Sequence, residues 1–159
     1  MAPSATAPGM ESPAQTGFGL VMASCLAIIA ALLVVGAVSH GVVRHIVQTA
    51  PLWIAIVLAA RHSNWSKWAA LPCYVFWLFL MSLIWLYLLG WARVISGTFS
   101  PIEIAMTLIV GLACLAGIIR AVRMRSDKPL WPALGLALAV LGLQIAVLEI
   151  SFLPAIAHR

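Results

Sequence analysis

The chain is 159 residues long and 64% apolar, with nine basic and four acidic residues. Soluble domains run at about 45–50% apolar and roughly 25% charged, so an ordinary soluble globule is excluded. A disordered chain and a nucleic-acid module built on a basic surface are excluded too, which leaves an all-α integral membrane bundle of one domain.

Residues 1–16 (MAPSATAPGMESPAQT) hold no Lys or Arg and cannot bury a core, so they read as a disordered tail. Without a positive n-region, the apolar run 18–38 that follows reads as a retained span and not a signal peptide. Residues 17–159 then form a single transmembrane domain. About 20 apolar residues are needed to cross ~30 Å of hydrocarbon. Five segments qualify: 18–38, 42–60, 69–92, 102–119 and 131–153.

Ser39-His40-Gly41 predicts a tight first connection, with Gly41 supplying the backbone freedom. The second span opens with Arg44, His45, Gln48 and Thr49 and contains Pro51, which predicts a kinked helix. A four-span alternative makes 42–60 a re-entrant segment. Before the fourth span, Ser100-Pro101-Ile102-Glu103 predicts a capping box, and Arg93 suits the C-terminal end of the third helix.

Lys and Arg counts set the expected orientation. With five spans, the N-terminal side carries six basic residues and the opposite side three. That predicts an inner-membrane protein with its N-terminus inside and its C-terminus outside. The four-span alternative splits the same residues seven to two. Arg120, Arg123, Arg125 and Lys128 crowd one inner loop and suit anionic headgroups. Trp65, Trp68 and Trp131 fall at the inner boundary and Trp91 at the outer one.

Cys25, Cys73 and Cys114 are scattered among apolar residues, without the spacing of a zinc site or a disulfide framework. No HExxH and no Gly-rich phosphate loop is present, and no cofactor is predicted. Five spans and seven Trp resemble the gross form of tryptophan-rich sensory proteins, but no Trp-Pro-Pro stretch accompanies them and no family is assigned.

In the fifth span Gly135, Ala139, Gly142 and Ala146 line one helix face, which predicts close packing on another helix. Glu149 continues that stripe and is thereby turned toward protein, with Arg44 as its expected partner and His45 as the competitor. Gln144 lies on a different face and is expected to bond a neighbouring helix. By depth, His40, Gln48, Arg93 and Glu103 join Arg44, His45 and Glu149 in one polar layer at the outer end.

Three functions fit this pattern. The first is a non-catalytic accessory or assembly subunit with a protein partner or a second copy of itself. The second is a transporter or channel component moving protons or ions through Arg44, His45 and Glu149. The third is a redox protein or enzyme using His40 or His45.

Overall fold

The computed structural model describes residues 13–91 and 97–157. These form α1 (Pro13–Val38), α2 (Val42–Ala60), α3 (Ser66–Leu88), α4 (Pro101–Arg123), α5 (Leu130–Ser151) and a short α6 (Pro154–Ala157). The first five are long and apolar enough to cross a membrane. Of the expected tail, residues 1–12 lie outside the described residues. Residues 13–16 are already helical, with Pro13 at a first position where a missing N–H costs nothing.

Three helix ends share one device. At the end of α3, Gly90 takes a left-handed backbone (φ 75°), while the N–H groups of Gly90 and Trp91 reach back to the carbonyls of Tyr87 and Leu86. This is a Schellman motif, and it stops α3 short of the expected residue 92. At the end of α2 the left-handed position falls to His62 (φ 51°), with the N–H groups of His62 and Ser63 on Ala59 and Leu58. The His62 ring also packs edge-on against Phe18, with centroids 5.4 Å apart.

The turn after α1 corrects the sequence reading. The strained residue is His40 (φ 57°), not Gly41, which has φ −120° and caps α2. Gly41 donates its N–H to Gly36 at 2.8 Å, so chain closure places the positive φ one residue earlier. Gly36 is where small size is needed, because a Cβ there would lie 3.1 Å from the Val42 backbone and from His45.

α1, α2, α3 and α4 form a ring in which each packs on the next and α4 returns to α1. α5 lies outside the ring against α2 and α3. The ring is tightest around Tyr74, which is fully buried and donates its hydroxyl to the carbonyl of Val21 at 2.9 Å. Cys25 Sγ lies 3.2 Å from the same hydroxyl, and Gly117 of α4 lies against the ring. Cys25, Cys73 and Cys114 are all buried free thiols.

Two connections meet at one end of the bundle. Asn64 donates to Asp127 at 2.8 Å, Lys67 donates to the carbonyl of Met124 at 2.8 Å, and the Trp68 indole donates to Ser126 at 3.2 Å. Lys67 thereby satisfies a C-terminal carbonyl of α4, the helix end that favours a cation. At the other end of α2, Gln48 bonds Ser151. α2 therefore runs the length of the bundle, from the end near Ser151 to the end near Asp127. It is one continuous helix, long and apolar enough to cross a membrane, and not a re-entrant turn.

α5 is rotated from its expected setting. Its buried positions are Ala133, Val140, Gln144, Val147 and Ser151. Gly135, Ala139, Gly142 and Ala146 are exposed, and a Cβ built at Gly135 or Gly142 meets nothing within 4 Å. The physical reason is polar burial. An edge helix with two neighbours covers one narrow face, and in hydrocarbon it is the hydrogen-bonding face, with Gln144 and Ser151, that gains most from protein contact. The close approach of small residues falls instead on α4, at Ala113 and Gly117.

Candidate functional site

A cavity of about 560 Å³ opens in the half of the bundle away from the two joined connections. All five long helices contribute to its wall. Its polar lining is Ser39, Arg44, His45, Gln48, Glu103 and Thr107. Its deep wall holds Leu32, Gln48, Trp77 and Val110, all buried, and its rim holds the half-buried Arg44, His45, Phe99 and Glu103. Leu80, Met81, Ile84, Met106 and Leu148 supply further apolar wall.

Each rim group is held by local structure. The expected capping box forms: Ser100 Oγ accepts from the Glu103 N–H at 3.3 Å, and Glu103 Oε2 accepts from the Ser100 N–H at 2.7 Å. One oxygen of the Glu103 carboxylate is thus engaged in starting α4. His45 Nδ1 donates to the carbonyl of Gly41 at 2.9 Å, which leaves Nε2 as the nitrogen free to face the cavity. The Arg44 guanidinium stacks on the Phe152 ring, 4.1 Å from its centroid, while its Nε is buried without an acceptor. The indole N–H of Trp77 is likewise buried without a partner.

Below the rim a buried polar chain fastens α2 to α5. Gln144 donates to the Gln48 carbonyl at 3.4 Å, Gln48 donates to Ser151 at 2.9 Å, and Ser151 donates to the Leu148 carbonyl at 2.6 Å. Gln144 Oε1 is left unpaired. Toward the opposite end the bundle closes on Val21, Cys25, Ile28, Ala55, Ala59, Ala70, Cys73 and Cys114, all buried. The cavity is therefore blind at that end.

Of the predicted polar layer, Arg44, His45, Gln48 and Glu103 line the same cavity, the first three on α2 and Glu103 on α4 across the ring. His40 is exposed in its turn and does not line the cavity, and Arg93 lies outside the described residues. Glu149 is exposed on α5, and among the described residues no ion pair joins it to Arg44. The expected pair fails because the rotation that buries Gln144 and Ser151 carries Glu149 outward with the small residues. Near the end of its helix, an exposed carboxylate can reach the headgroup layer unaided.

Sequence reasoning missed Ser39, Trp77, Phe99, Thr107 and Phe152 as lining residues. Nothing in the sequence distinguishes Trp77 from Trp53 or Trp85, which also fall inside their spans. Phe152 follows Ser151, whose burial against Gln48 sets it beside Arg44. These features define a bundle of membrane-span-length helices with a one-ended cavity between them. No protein family, curated protein or solved structure matches the chain.

Proposed function

We propose that this is a non-catalytic membrane protein that binds a small molecule in the cavity between its helices. The observation that carries the reading is the cavity itself. Its volume of about 560 Å³ lies in the range of small-molecule sites, roughly 300–1,000 Å³, and it joins apolar walls to a few fixed polar groups. Had the polar layer served only to hold helices together, its charges would be closed by ion pairs, whereas Arg44 faces open volume. A channel needs a polar route through both halves, and the half around Tyr74 is packed with apolar side chains. This favours binding over conduction.

In this reading the end with the joined connections faces the cytoplasm of an inner membrane, with the N-terminus inside and the C-terminus outside. Arg120, Arg123, Arg125 and Lys128 would then meet anionic headgroups, and the cavity would open toward the outer side. The accessory-subunit reading draws on a separate observation, the uncovered face of Gly135, Ala139, Gly142 and Ala146 on α5.

The test is native mass spectrometry of the protein extracted from its host membrane in a mild neutral detergent. The wild type should retain a bound small molecule. Met106→Trp, which places a bulky ring in the cavity wall, should release it without unfolding. A wild-type spectrum with no retained molecule, or one unchanged by Met106→Trp, would refute the reading.

A further inference from the structure

We infer that the cavity takes a single-chain anionic amphiphile, its carboxylate or phosphate head on Arg44 and its chain along the deep apolar wall. This rests on the cavity being a binding site, and it adds which class of molecule enters.

The donors and acceptors at the rim are unbalanced. Arg44 offers a permanent positive charge on a half-buried side chain that lines the cavity, and among the described residues it has no ion pair. The one carboxylate on the rim, Glu103, has one oxygen engaged by the Ser100 N–H at the start of α4, and among the described residues no ion pair joins it to Arg44. The His45 Nδ1–H is engaged by Gly41. No acceptor on the rim reaches Arg44, and an anion supplies one through charge-assisted hydrogen bonds. Phe152 covers one face of the guanidinium, so a head group must approach its edge, where the N–H donors lie.

Depth specifies the rest of the ligand. Arg44 lies in the first turn of α2 and Trp77 at the middle of α3. Counted from the 61–65 connection that joins the two helices, Arg44 is sixteen residues from Ala60 and Trp77 eleven from Ser66, so at 1.5 Å per residue the two levels differ by about 8 Å along the bundle. Between them the wall is Leu80, Met81, Ile84 and Met106, with Leu32 and Val110 at the bottom. A small hydrophilic anion leaves that wall uncovered, whereas an alkyl chain covers it. The blind end of the cavity caps the chain, and two-chain lipids exceed what the volume accepts.

The experiment uses the full-length protein in nanodiscs of zwitterionic lipid. A long-chain carboxylate with a photoreactive diazirine at the chain end is the probe. Competitors of the same chain length carry a carboxylate, a phosphate monoester, an alcohol or a trimethylammonium head. The probe should label residues around Trp77 and Val110, and the two anions should compete at concentrations about tenfold or more below the alcohol and the cation. Arg44→Gln should bring all four competitors within about twofold, and Arg44→Lys should restore a preference for anions. A carboxylate that outcompetes the phosphate identifies a free fatty-acid-like source, and the reverse identifies a lysolipid-like one.

If the alcohol competes as well as the anions in the wild type, the assignment of Arg44 is wrong, while labelling blocked by Met106→Trp keeps the binding reading intact. Labelling that persists in Met106→Trp, or none at all, overturns both.

Discussion

Replacing Gly117 by alanine tests whether the α3–α4 contact is as close as the structure shows. A Cβ at Gly117 would lie 2.5 Å from Cε2 and Cζ of Tyr74 and 2.9 Å from Cδ2. Carbon atoms at rest keep about 3.5–4.0 Å, so the ring or the helix must move by roughly 1 Å. The ring has little freedom to do so, because its hydroxyl is bonded to Val21 and Cys25 and the side chain is fully buried. Overpacking of this kind costs about 1–3 kcal/mol, against which alanine regains up to about 1 kcal/mol of helix propensity. The expected net loss is about 1–2 kcal/mol, a lowering of roughly 2–4 °C in midpoint per kcal/mol for a chain of this size. Thermal unfolding in a mild detergent reads it, with Gly142→Ala as a control in open space that should be neutral or slightly stabilising. In a Tyr74→Leu background the added methyl should cost less, and the difference measures the coupling. Equal midpoints for Gly117→Ala and Gly142→Ala would refute the close contact.

The setting of α5 predicts that Leu at Val140, which is buried, overpacks and costs about 1–3 kcal/mol, while Leu at Gly142 is silent in the same unfolding assay. Glu149→Gln and Arg44→Gln should be additive in a double-mutant cycle within about 0.5 kcal/mol; a larger coupling would restore the ion pair that the structure lacks. The hydrogen bond from Asn64, with smaller help from Lys128, holds the Asp127 carboxyl below the usual aspartate range. A depressed pKa contributes stability that is present above the unfolded value of 3.8 and lost as pH falls through the folded one. Asp127→Asn should therefore flatten the pH dependence of unfolding below about pH 4 and leave it unchanged near neutrality.

The five helices are legible in the sequence because length and apolar content decide them, and the cap at Ser100 and Glu103 because it is a local pattern. The convergence of Arg44, His45, Gln48 and Glu103 is legible because depth follows from counting along a helix. Angular position does not. Gly142 and Gln144 are two residues apart and lie on opposite sides of α5, and two rules compete for the buried side. One brings small residues together and the other shelters hydrogen-bonding groups. Gln48 and Ser151, on different helices, settle it for the polar face, and no reading of the fifth span alone contains that information. The same limit explains Glu149, for which the sequence offers the pattern of its helix neighbours and not what α2 presents to them. At the first turn, glycine chemistry points to Gly41, but the hydrogen bond from Gly41 to Gly36 fixes the register and leaves the left-handed residue to His40.

The fastening of the two connections through Asn64, Lys67 and Trp68 has a mechanical meaning. One end of the bundle is cross-tied between α3 and the α4–α5 connection and filled with close-packed side chains, while the other end holds the free volume. A compressive load from the surrounding bilayer is therefore met unequally along the bundle axis. The tied end resists as a solid does, and the end around the cavity, with fewer side chains packed across it, yields more readily. A bilayer of higher lateral pressure should therefore act first on the end that carries Arg44, Trp77 and Glu103.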